Sequence, residues 1–99
     1  MQNITVDRKK ILSLCRRWKI VEFAVFGSVL RKDFRSTSDI DILVSFSKKA
    51  KWSLEDLVEI QDELEHIFGR EVDIIEEAAI RNPFRRHEIL TTKEVLYAV

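Results

Sequence analysis

The chain has 99 residues, 17 Lys/Arg balanced by 17 Asp/Glu, 45% hydrophobic residues, and only 2 Gly and 1 Pro. That is room for a single domain with one modest core, and it excludes low-complexity, collagen-like and two-domain architectures. A lone Cys15, with only His66 and His87 to assist it, excludes an internal disulfide and offers no zinc-ligand spacing. No stretch is long and apolar enough for a signal peptide or membrane span, so a cytoplasmic domain covering 1–99 is expected.

The zero net charge hides a gradient. Residues 1–50 hold 11 basic and 5 acidic groups, and residues 51–99 hold 6 and 12. Such asymmetry suits either a polyanionic ligand or two oppositely charged helices on one domain.

In chain order, residues 6–18 set Ile11, Leu14, Cys15 and Trp18 on one helical face, with Arg and Lys opposite. Ile20–Phe26 is β-branched, aromatic and apolar on nearly both sides, as a covered central strand would be. Gly27-Ser28 ends it, Val29–Arg31 is suited to a short helix, and Lys32–Ser38 is polar loop. Asp39–Phe46 alternates, with Ile40, Ile42, Val44 and Phe46 on one face and Asp39, Asp41, Leu43 and Ser45 on the other.

Ser53-Leu54-Glu55-Asp56 has the form of a capping box, and the three/four spacing from Leu54 to Phe68 predicts a long helix stopped by Gly69. Glu71–Ile75 reads as a third strand with Asp73 opposite Val72 and Ile74. Asn82-Pro83 then opens a last helical stretch over Phe84–Leu90, with a final turn near Glu94–Ala98.

Asp39, Asp41 and Asp73 interrupt otherwise apolar strands, where β-propensity disfavours them. Asp39 and Asp41 share a face, with Cα atoms about 6.7 Å apart at the usual strand rise. If the third strand lies beside the second, Asp73 joins them, and three hard oxygen donors suit Mg²⁺ better than a soft metal. Gly27-Ser28 at the strand exit permits close backbone approach and phosphate binding, with Arg31 and Lys32 nearby. Together these describe a nucleoside triphosphate site.

Gly27-Ser28, ten residues, then Asp39-Ile40-Asp41, with Glu71–Ile75 supplying a third Asp and Ile80–Ala98 closing the chain, resembles the minimal nucleotidyltransferases of the polymerase-β-like superfamily. The resemblance covers about residues 20–99. It implies an α+β fold, a small mixed sheet with helices packed on one face, and a site at the ends of the strands bearing the carboxylates. It further implies that Asp39 and Asp41 bind two Mg²⁺ ions and that Gly27 and Ser28 hold the β/γ phosphates of ATP. Asp73 would ligate the catalytic metal and activate the acceptor hydroxyl, and Arg31 would add charge stabilisation. Such proteins commonly accompany a HEPN-domain ribonuclease toxin and act as its antitoxin by transferring AMP to a tyrosine, so ATP and a HEPN-type partner are expected. Contact-only neutralisation and transfer to a small-molecule hydroxyl are the competing readings.

Arg81, Arg85, Arg86 and His87 form a basic cluster expected on a C-terminal helix that touches a partner or nucleotide. The groups Arg8-Lys9-Lys10, Arg16-Arg17, Lys48-Lys49 and Lys51, with Trp18, Phe34 and Trp52 nearby, raise nucleic-acid binding, but the neutral total and the core spacing of Trp18 count against it. No direct nucleic-acid contact is expected. The acidic run Glu55, Asp56, Glu59, Asp62, Glu63 and Glu65 fits either a basic partner surface or a solvated helix face.

Overall fold

The computed structural model describes residues 7–27 and 39–99. Helix α1 (Arg8–Trp18) leads into strand β1 (Ile20–Phe26), followed by β2 (Ile40–Phe46), α2 (Leu54–Phe68) and β3 (Val72–Glu76). A short 3₁₀ turn (Glu77–Ala79), α3 (Pro83–Thr92) and β4 (Glu94–Ala98) complete the order. The expected Val29–Arg31 helix lies outside the described residues.

Local chemistry accounts for the boundaries. The Asp7 carboxylate accepts from the Lys9 and Lys10 N–H groups at 3.1 and 3.2 Å, capping α1. Lys19 ends that helix in a left-handed conformation at φ 57°. The Ser53–Asp56 capping box forms in both directions, at 3.3 and 2.9 Å, and Gly69 at φ 70° stops α2. Asn82 caps α3 through the Phe84 and Arg85 N–H groups, with Pro83 in the first turn.

The four strands form one mixed sheet in the order β3-β2-β1-β4. β1 is antiparallel to both β2 and β4, whereas β2 and β3 are parallel. α1 and α2 cover one face over a cluster that includes Ile11, Leu14, Phe23, Val25, Ile42, Val44, Ile60 and Leu64, all essentially inaccessible. The opposite face carries a smaller cluster of Ala24, Phe26 and Leu43, closed by Ile89 from α3. The two larger helices thus share one face as expected, and α3 supplies a partial cover on the other.

β4 was the unexpected element, because Glu94–Ala98 carries a signal for a final turn. Its pairing with β1 shifts register between Phe23 and Ala24. This bulge lets the consecutive residues Leu96 and Tyr97 both pack on the α1/α2 side, which erases the two-residue period by which a strand is read. The charge gradient also has a local account: basic α1 lies beside acidic α2, joined by an Arg17–Glu63 ion pair. Both tryptophans serve packing, Trp18 against the core and Trp52 on Phe46 at 5.2 Å between ring centroids. Among the described residues no helix is long and apolar enough to cross a membrane.

Candidate active site

β1 runs opposite to β2 and β3, so the end of β1 and the starts of the other two meet at one rim of the sheet. Phe26 pairs with Asp41, and Asp41 pairs in parallel register with Asp73. Adjacent strands lie about 4.8 Å apart and paired residues face the same way, so the Asp41 and Asp73 side chains leave neighbouring strands on the same face. This satisfies the condition left open by the sequence, that the third strand lie next to the second. Asp39 is exposed in the lead-in to β2, two residues upstream of Asp41.

Gly27 turns out of β1 at φ 73°, a conformation that costs a side-chain-bearing residue about 1 kcal/mol or more. Its open space is already used: a Cβ added there would overlap Asp41 Oδ2 and stand 3.4 Å from Asp41 Cγ. The backbone conformation thus favours glycine, and any side chain here would also force the Asp41 carboxylate to move. The chain passes directly beneath the Asp41 carboxylate, and a bound polyanion can approach the same backbone. Ser28 and Arg31, the other expected nucleotide-binding residues, lie outside the described residues, as does Phe34.

Behind the carboxylates the same sheet face turns apolar. Leu43 follows Asp41 and Ile75 follows Asp73 by one strand period, and both join Phe26 and Ile89 in the smaller cluster. The acidic groups thus occupy a wet rim backed by a dry floor, which strengthens electrostatic interactions made there. The donor set, carboxylate oxygens on neighbouring backbone positions beside a side-chain-free glycine, fits a hard divalent cation carrying phosphate. Among the described residues no three acidic, His or Cys side chains are grouped closely enough to hold a metal ion, so the expected convergence of Asp39 with Asp41 and Asp73 is not formed, and the register pairs only Asp41 with Asp73.

The basic cluster is dispersed. Arg86 donates to the Glu77 carbonyl at 2.9 Å and to the Glu77 carboxylate at 3.3 Å, while Ser45 Oγ–H donates to the other Glu77 oxygen at 2.7 Å. Ser45 lies four residues beyond Asp41 on β2, about 13 Å away, so Arg86 braces α3 at the far end of the sheet. Arg81, Arg85 and His87 are exposed. Sequence reading missed this brace because its partners are 9 and 32 residues apart with no local pattern joining them. A separate cleft of about 490 Å³ lies between α1 and α2, lined by Lys10, Ser13, Arg17, Asp62, Glu63 and His66, on the face away from the carboxylates.

Residues 8–96, nearly the whole chain, match the nucleotidyltransferase domain family. This chain belongs to that family. It is accordingly a nucleotidyltransferase, with the mixed-sheet α+β architecture of the minimal members. A candidate protein adenylyltransferase of Methanocaldococcus jannaschii is 38% identical over 88 residues, spanning 89% of this chain and 91% of that protein. A solved structure described as a candidate minimal nucleotidyltransferase superimposes with a TM-score of 0.72 at 37% identity, covering 88% of this chain and 86% of its own. A complex of tri-AMPylated Shewanella oneidensis HEPN toxin with its MNT antitoxin aligns with a TM-score of 0.63 over 93% of this chain and 70% of the matched one. At 21% identity that last likeness bears on the fold alone.

Proposed function

We propose that this chain is an antitoxin that transfers AMP from ATP to a tyrosine hydroxyl of a HEPN-type ribonuclease toxin. The observation that carries the reading is the Asp41–Asp73 parallel register beside Gly27, a paired-carboxylate rim open to a triphosphate. The protein adenylyltransferase relative supports a protein as the acceptor.

In this reading Asp39, Asp41 and Asp73 would hold two Mg²⁺ ions. Gly27 and Ser28 receive the β and γ phosphates, and Arg31 offsets charge developing on them. Bound magnesium would neutralise the triphosphate and make the acceptor hydroxyl more acidic. Asp73, on the outer strand, takes the acceptor proton as the hydroxyl oxygen bonds to the α-phosphorus. The bond from that phosphorus to the bridging oxygen breaks, and pyrophosphate departs with its electron pair. Apolar Phe26, Leu43 and Ile75 exclude water from the floor and so disfavour hydrolysis over transfer.

The test is intact-mass spectrometry of the proteins that copurify with the tagged chain, before and after addition of MgATP. A partner that gains nucleotide-monophosphate mass with the native chain, and not with an Asp39→Asn/Asp41→Asn variant, supports the proposal and identifies the acceptor. A stable complex with no mass change in either sample would refute transfer and leave neutralisation by contact.

A further inference from the structure

β3 is an edge strand, yet its backbone is closed off next to Asp73. The Glu71 carbonyl accepts from the Ile40 N–H at 3.1 Å, toward β2. Strand alternation therefore aims the Val72 N–H and C=O outward, where edge groups commonly meet water or a stray strand. Here they meet α2 instead. The Val72 N–H donates to Glu65 Oε2 at 3.3 Å, and the Val72 carbonyl accepts from Gln61 Nε2 at 3.5 Å. Gln61 and Glu65 are four residues apart on α2 and so lie on the same face, supplying one donor and one acceptor as a neighbouring strand would. Val72 itself is buried, at 5% exposure.

The peptide unit held by Gln61 is the one that begins Asp73: its carbonyl belongs to Val72 and its N–H to Asp73. We propose that Gln61 and Glu65 are positioning residues that fix the Asp73 carboxylate relative to Asp41. The inference rests on the reading of Asp73 as the group that takes the acceptor proton. With the clasp intact, the start of β3 is held from both sides, by β2 and by α2. Without it, Asp73 hangs from a strand end tied on one side only, and small displacements of a reacting group are costly to rate.

The experiment uses the full chain with its acceptor and compares Glu65→Ala, Gln61→Ala and Glu65→Gln with the native protein. The last variant keeps a side-chain oxygen able to accept from Val72. The expected result for both alanine variants is a fall of about tenfold in kcat with KM for ATP within about twofold, and faster hydrogen exchange at the Val72 amide in Glu65→Ala. Glu65→Gln restores most of both. Thermal melts establish that each variant is folded at the assay temperature. Unchanged Val72 exchange in Glu65→Ala would overturn the clasp, and faster exchange with native kcat would overturn its positioning role. Full transfer by an Asp73→Asn variant would instead overturn the underlying reading of Asp73, and is told apart because Val72 exchange still responds to Glu65→Ala.

Discussion

Gly27→Ala separates the backbone cost of the site from its chemical cost, because the chain contains a matched control. Gly27 and Gly69 hold nearly the same left-handed conformation, φ 73° and 70°. A Cβ at Gly69 would meet nothing within 4 Å, whereas one at Gly27 would overlap Asp41 Oδ2. Both alanine variants should therefore lose about 1–2 kcal/mol from the left-handed backbone, a fall of roughly 5–15 °C in Tm for a domain of this size. Only Gly27→Ala must also displace a carboxylate. Asp41 relieves the overlap by rotating its side chain, since Asp41 Cγ and Cβ at 3.4 and 3.6 Å are already in tolerable contact. The fold thus survives while an oxygen at the rim moves, and a shift of about 1 Å in such a group costs about 100-fold in rate. The assay is nucleotidyl transfer at a temperature where both variants are fully folded by circular dichroism. Equal activities for the two variants, or near-native activity in Gly27→Ala, would refute the placement of Asp41 in the reaction.

Three further outcomes follow from other parts of the molecule. Lys19→Gly should raise stability by about 0.5–1 kcal/mol in a denaturant titration, because Lys19 ends α1 at φ 57° where glycine is unstrained. Ile89→Ala should cost about 2–4 kcal/mol by opening the small cluster behind the carboxylates, and at equal folded fraction it should slow transfer more than Leu64→Ala, which empties a site in the larger cluster on the other face. Burial pushes the Cys15 thiol up to about 12 from 9.0. The folded state therefore favours the neutral thiol, and its contribution is fully present below pH 9 and lost as pH rises toward 12. A thiol reagent should label native Cys15 far more slowly than the unfolded chain at pH 8, and Cys15→Ala should flatten the decline in stability above pH 9.

What was legible in the sequence was local. The capping box at Ser53 and the Asn82-Pro83 start depend on side chains within three residues of the groups they satisfy, the stop at Gly69 depends on that residue's own left-handed backbone, and each forms as read. The alternation of Asp39–Phe46 was legible for the same reason and placed Asp41 on the correct face. What was not legible depends on distant pairing. β4 is a strand because β1 has a free edge beside it, and the bulge hides its period. Arg86 looked like a basic group available to a ligand, but Glu77 engages it, itself held by Ser45, through contacts that no spacing announces. The Asp41–Asp73 pair was legible only as a condition, since a parallel neighbour is set by the crossover through α2.

That crossover makes topology part of the site. A parallel strand pair needs a connection that returns the chain to the same rim, and α2 supplies it while burying Ile60 and Leu64 in the main core. Its length sets where β3 begins. A slip of one residue in β3 would turn Asp73 onto the face of Val72 and Ile74, against the buried cluster, and bring an apolar residue to the rim beside Asp41. Burial of Val72 opposes the slip from within the core, and Gln61 and Glu65 oppose it at the edge by engaging the same residue's backbone. Packing on one face of the sheet thereby sets the alignment of carboxylates on the other, without placing a bulky residue at the rim.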